Sequence, residues 1–110
     1  MVKVFYTKLV RDRIPEIIES NGDVCETRIL NDEEFQIELK KKMVEEANEV
    51  LNSSKEKLSD ELADVLEIIG SLADFNELSM KEIEEVRKNK KEKRGGFDNK
   101  IFLEWSGPKS

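Results

Sequence analysis

Histidine is absent from the 110 residues, and cysteine occurs once, at position 25. The first absence excludes Ser-His-Asp and Cys-His nucleophilic schemes and every His-ligated metal site. The second excludes an intrachain disulfide and fits a reducing, cytoplasmic setting. No hydrophobic run is long enough to span a membrane, and the N-terminal MVKVFYTKLV lacks the apolar stretch of a signal peptide. Positive charge is not in excess either. The net charge is −6 and the pI about 4.9, which argues against nucleic acid or an anionic membrane as a partner. Carboxylates, amines, hydroxyls and a bound metal are what remain for catalysis.

What is present is charge and helical patterning. Charged residues make up 40% of the chain and hydrophobic ones 37%, polar for a globular monomer of one modest core. The reading is a single domain, residues 1–110, either very helical with long solvated faces or completing its core by oligomerising. Val2–Tyr6 is too short to classify. Asp12 is expected to cap a short helix through Ser20, with Pro15 in its first turn and Asn21-Gly22 at its end. VCETRIL, residues 24–30, has a partly β-like composition that predicts a strand. Asn31 and Glu34 form a capping-box pattern opening a helix to about Leu51. After a break at Asn52-Ser53-Ser54, a second helix is expected from about Glu56 to Asp74, with Asn76 as its terminator. Ser79 and Glu82 start a third, to about Lys93, stopped at Arg94-Gly95-Gly96. Phe97–Lys109 is a tail with an apolar knot, Ile101-Phe102-Leu103-Glu104-Trp105. The fold class is all-α, a helical-bundle core around a central two-helix hairpin.

At about 100° per residue, Phe35, Leu39, Met43 and Val50 share one narrow stripe, and Glu46 falls inside it. Glu49 sits on its flank and Glu45 further round, where solvation accounts for it. On the next helix, Leu58, Leu62, Val65, Leu66, Ile69, Leu72 and Ala73 make a broad apolar face that Ile68 and Phe75 extend. Glu61 projects within the extended face, and Asp64 lies at its edge. Burying an unpaired carboxylate costs several kcal/mol, and like charges one turn apart add repulsion. On this pattern no Lys or Arg shares the stripes near these acids. A solvated acidic face is the plain alternative. A hard divalent ion, Mg²⁺ or Mn²⁺, is the other compensation, since an all-oxygen carboxylate set selects such ions.

Glu45-Glu46-Ala47-Asn48-Glu49 followed by Glu61-Leu62-Ala63-Asp64 resembles the EExxE…ExxD signature of the all-α nucleoside triphosphate pyrophosphohydrolases. That superfamily includes MazG, dimeric dUTPases and phosphoribosyl-ATP pyrophosphohydrolases. Lys8-Leu9-Val10-Arg11-Asp12-Arg13-Ile14-Pro15 and Arg94-Gly95-Gly96-Phe97 look like a small MazG-like, house-cleaning branch. The blocks cover nearly the whole chain. EExxE alone is weak, with ExxD it is moderately specific, and with both flanking blocks it is strong. The eleven residues between Glu49 and Glu61 lie at the short end of the pattern, implying a tight turn and a smaller base pocket. The resemblance implies a four-helix core carrying Mg²⁺, assembled as a homodimer or homotetramer. It implies hydrolysis of a small-molecule nucleotide to monophosphate and pyrophosphate, with Glu46, Glu49, Glu61 and Asp64 as metal ligands.

The attacking water needs a carboxylate to take its proton, and Glu49 and Glu45 are both candidates. Phosphate needs cations: Lys8, Arg11 and Arg13 form one group, and Arg87, Lys90, Lys91, Lys93 and Arg94 another. Arg94, beside two glycines, is the most suitable for a bidentate grip, although cations at a helix end also have a purely solvated role. Phe97 is a candidate for stacking on a base. Trp105 is expected to pack against a helix, and Cys25 to be a small core or interface residue. A phosphoribosyl-ATP hydrolase is the nearest rival activity. A non-catalytic nucleotide-binding or oligomerisation module is the rival class.

Overall fold

The computed structural model describes residues 2–110, and among these it contains four α-helices, one 3-10 turn and no strand. The all-α class is therefore as expected. The chain divides into two compact units, one ending at Glu77 and the other comprising Leu78–Ser110.

In the first unit an extended segment leads to helix α1, Ile14–Ser20, with Pro15 in its first turn. Asp12 does not cap it. Arg13 holds the capping position without a side-chain cap, because a tight turn, closed by the Ile14 N–H donating to the Arg11 carbonyl at 3.0 Å, precedes the helix. Gly22, at φ +87°, lets the chain leave α1 in the left-handed region, its N–H donating to Glu19 at 3.0 Å. Residues 24–30 are not a strand. Among the described residues no second strand exists to pair with them, so β-like composition has nothing to act on, and Val24 and Ile29 stay exposed. Cys25 is exposed here too, not a core residue.

Helix α2, Asp32–Asn52, begins at a complete capping box. The Asn31 side chain accepts the Glu34 N–H at 2.8 Å, and the Glu34 carboxylate accepts the Asn31 N–H at 3.5 Å. Ser53 and Ser54 break the helix, a 3-10 turn at Lys55–Lys57 follows, and α3 runs Leu58–Phe75. Such a short connection makes α2 and α3 antiparallel neighbours, the expected hairpin. Two contacts fasten its open end. Phe35 meets Phe75 edge to face at 4.9 Å, and Gln36 and Asn76 exchange amide hydrogen bonds of 2.8 and 3.0 Å. Asn76 also donates to the Leu72 carbonyl, so the terminator of α3 doubles as a clamp to α2.

Leu39, Ile68 and Ala73 are the buried residues of the core. The α3 face is rotated from the one expected. Ile68, read as an extension, lies at its centre, whereas Leu58, Leu62 and Leu66 are exposed. Nearly every turn of α3 is apolar on more than one side, so periodicity alone leaves the choice of face to packing against α2. The rotation moves the acids inward: Asp64 and Glu61 stand one and two turns before Ile68, on the side that meets α2.

In the second unit α4, Met80–Arg94, is capped by Ser79, whose hydroxyl accepts the Glu82 N–H at 3.0 Å and donates to the Glu82 carboxylate. Gly95, at φ +82°, ends it. Trp105 does not pack against a helix as expected: it is 81% exposed, within a stretch that has no regular secondary structure.

Candidate metal centre

The α2–α3 hairpin brings Glu46, Glu61 and Asp64 together, with one carboxylate oxygen from each lying within 4.8 Å of the others. All three side chains are half-buried. Their meeting follows from the elements: a capped α2 sets the direction of Glu46, the short connection sets the register of α3, and Glu61 and Asp64 share a face one turn apart. The Glu61 carboxyl is held above the ordinary carboxylate range, first by loss of water around it and then by the charges of Glu49, Asp64, Glu46 and Asp60. Glu49, exposed on the flank of α2, is thus close enough to act on Glu61.

The acids are not without cations, which corrects the expectation that no Lys or Arg shares the stripes near them. Lys42, one turn before Glu46 on the same helix, lies 3.4 Å from Glu45 and 3.6 Å from Glu46. Its spacing of three and four residues from those acids is the signal that would have found it. Lys8 reaches the other oxygen of Glu45 at 3.6 Å, and Arg11 donates to Asp64 at 2.7 Å. Two of the cations expected at phosphate therefore stand at the carboxylates. The third, Arg13, pairs locally with Glu16 at 3.2 Å.

The burial of these pairs differs. The Lys42 and Glu46 side chains are only 19% and 13% exposed, whereas those of Arg11 and Asp64 are 58% and 40% exposed. The first pair is part of the hairpin seam; the second is a surface contact, a kind worth about 0–1 kcal/mol. Three carboxylates at such mutual distances form an all-oxygen set that could hold a hard divalent cation. Lys91, Arg94 and Phe97 belong to the second unit. Arg94, Gly95, Phe97, Asn99, Lys100 and Ile101 line a hollow of about 260 Å³ there, with Phe97 98% exposed. No protein-family model matches this chain, and no curated protein and no solved structure does either.

Proposed function

We propose that this protein hydrolyses a nucleoside triphosphate, ordinary, deoxy or modified, to the monophosphate and pyrophosphate at a Mg²⁺ or Mn²⁺ centre. The observation that supports this best is the meeting of Glu46, Glu61 and Asp64 within 4.8 Å in the hairpin seam. Like charges so placed, with Glu61 partly shielded from water, oppose folding unless cations join them. Lys42 and Arg11 offset part of that repulsion, yet each touches a single member of the triad, and Glu61 has no ion pair among the described residues. Glu46, Glu61 and Asp64, with Glu49 beside them, would hold the metal.

When bound, the ion supplies neutralisation of phosphate oxygens and a more acidic water. The remaining work falls to the chain. A water oxygen bonds to the α-phosphorus, the bridging P–O bond to the β-phosphate breaks, and pyrophosphate leaves with the electron pair. The proton of the water passes to a carboxylate. Of the two candidates, Glu45 is engaged by Lys8 and Lys42, whereas Glu49 is exposed and in no ion pair among the described residues, so Glu49 takes this role. Lys8, Arg11 and Arg13 are the phosphate contacts of the first unit. By the resemblance alone, and not by their position, Lys91 and Arg94 of the second unit are assigned to phosphate and Phe97 to the base. Arg94 and Phe97 flank two glycines whose lack of side chains admits a ligand close to the backbone. With a free, exposed Cys25 the reducing cytoplasm is the fitting location.

We also assign a homo-oligomeric state. Ile37, Val44 and Leu51, seven residues apart, form an exposed apolar row on α2, and Leu58, Leu62 and Leu66 form another on α3. Rows of this kind are the usual seam of a further helical layer.

One observation favours a second reading. The pairs Lys8–Glu45, Arg11–Asp64 and Lys42–Glu46 are what a non-catalytic helical module would use to offset its own acids. Incubation with a panel of nucleoside and deoxynucleoside triphosphates, with and without Mg²⁺, separates the two. Metal-dependent formation of monophosphate and pyrophosphate in equal amounts is the expected result. Helicity indifferent to Mg²⁺, with no product from any nucleotide, supports the module.

A further inference from the structure

Arg11 stands where a metal-loaded centre would oppose its charge. Its Nη2 is 2.7 Å from Oδ1 of Asp64, and Asp64 belongs to the carboxylate triad. A hard divalent ion sits about 2.0–2.6 Å from its oxygen ligands, so an ion in the triad and the guanidinium would be two positive charges within a few ångströms of each other. The two pairs that involve the triad differ in what separation costs. Lys42 is largely covered and leaves Glu46 only by breaking the hairpin surface, whereas Arg11 is 58% exposed and passes into water with little loss. Arg11 also lies outside any helix, in the extended segment that carries Lys8, and Lys8 has its own surface pair, to Glu45. No helix or strand holds residues 8–11 to the hairpin; the two ion pairs and the half-buried Leu9 do.

We propose that Arg11 and a divalent cation are alternative partners of Asp64, so that loading the metal frees the Arg11 guanidinium and loosens the Lys8–Arg11 segment on the hairpin. Arg11 is an internal counter-ion while no metal is bound, and its guanidinium becomes free for an anion only once a metal has replaced it. This rests on the metal-centre reading above and extends it: the order of events is metal first, then phosphate.

The test needs no substrate. Mn²⁺ is titrated calorimetrically into the full-length protein, into Arg11→Gln, and into Lys41→Gln. The last removes an equal charge from the same unit, from a residue paired only with Glu38. Removal of a competing surface pair is expected to tighten Mn²⁺ binding about two- to fivefold in Arg11→Gln and to leave Lys41→Gln at the wild-type value. In parallel, saturating Mn²⁺ should speed tryptic cleavage of the wild type after Lys8 and Arg11, read by mass spectrometry. Equal affinity in wild type and Arg11→Gln, equal tightening in both variants, or cleavage that Mn²⁺ leaves unchanged or slows overturns the exchange while leaving the metal centre in place. Absence of Mn²⁺ binding by all three proteins removes the centre itself.

Discussion

Glu61 concentrates the conflict between folding and function. It is half-buried on the inner face of α3, with Glu49, Asp64, Glu46 and Asp60 all opposing its charge. Because its carboxyl is raised in the folded state, the native protein holds that proton more tightly than the unfolded chain does. The contribution of Glu61 is therefore fully present below the ordinary glutamate pKa of about 4.3 and is lost as the pH rises through the raised value. Glu34 and Glu84 act in the opposite sense. Arg28 and the Asn31 N–H hold the first low, and Arg87 holds the second, so their contributions are lost on acidification. Glu61→Gln is expected to raise the melting temperature of the metal-free protein at neutral pH and to flatten its decline over the mildly acidic range. Thermal melts of both proteins across pH check this. A lower melting temperature in the variant would mean that Glu61 is already compensated. Mg²⁺ should stabilise the wild type and leave the variant nearly unchanged.

At the scale of elements, local chemistry was the readable part. The Asn31–Glu34 capping box lies within four consecutive residues, so the sequence carries all of it, and the helix begins where the pattern places it. Asn31→Ala is expected to cost about 1 kcal/mol of stability, measured by urea denaturation. Leu39 is 4% exposed at the centre of the α2 stripe, and Leu39→Ala should cost about 2–5 kcal/mol by the same measurement. What the sequence could not convey depends on contacts between distant residues. The Arg11–Asp64 pair spans 53 positions, and the Gln36–Asn76 clamp spans 40. No periodicity encodes either. The face of α3 was ambiguous for a related reason: a helix apolar on several sides offers more than one inward orientation, and only its partner selects Ile68 over Leu66. Lys42 is different, since its spacing to Glu45 and Glu46 is legible in the sequence, although it lies at the edge of the apolar stripe.

For the whole molecule, the exposed apolar rows weigh most. Leu62 and Leu66, at 46% and 61% exposure, lie on the opposite side of α3 from a seam that holds three carboxylates. A second copy covering these rows would bury the hydrophobic surface that one chain leaves open, and so support a fold whose own seam is partly polar. Leu66→Glu is expected to shift the protein to monomer in size-exclusion chromatography with light scattering. An unchanged mass would place the interface elsewhere.

The central claim is that the acids occupy the seam because a catalytic cation occupies it with them. The most direct measurement is pyrophosphate release with Mg²⁺ by the wild type and by the Glu46→Gln, Glu61→Gln double variant, with helicity followed in both. Release that depends on Mg²⁺ in the wild type, and is lost in a variant that stays fully helical and melts higher without metal, is the expected result. A wild type that releases no pyrophosphate from any nucleotide, or a double variant that releases it as fast as the wild type, would contradict the claim.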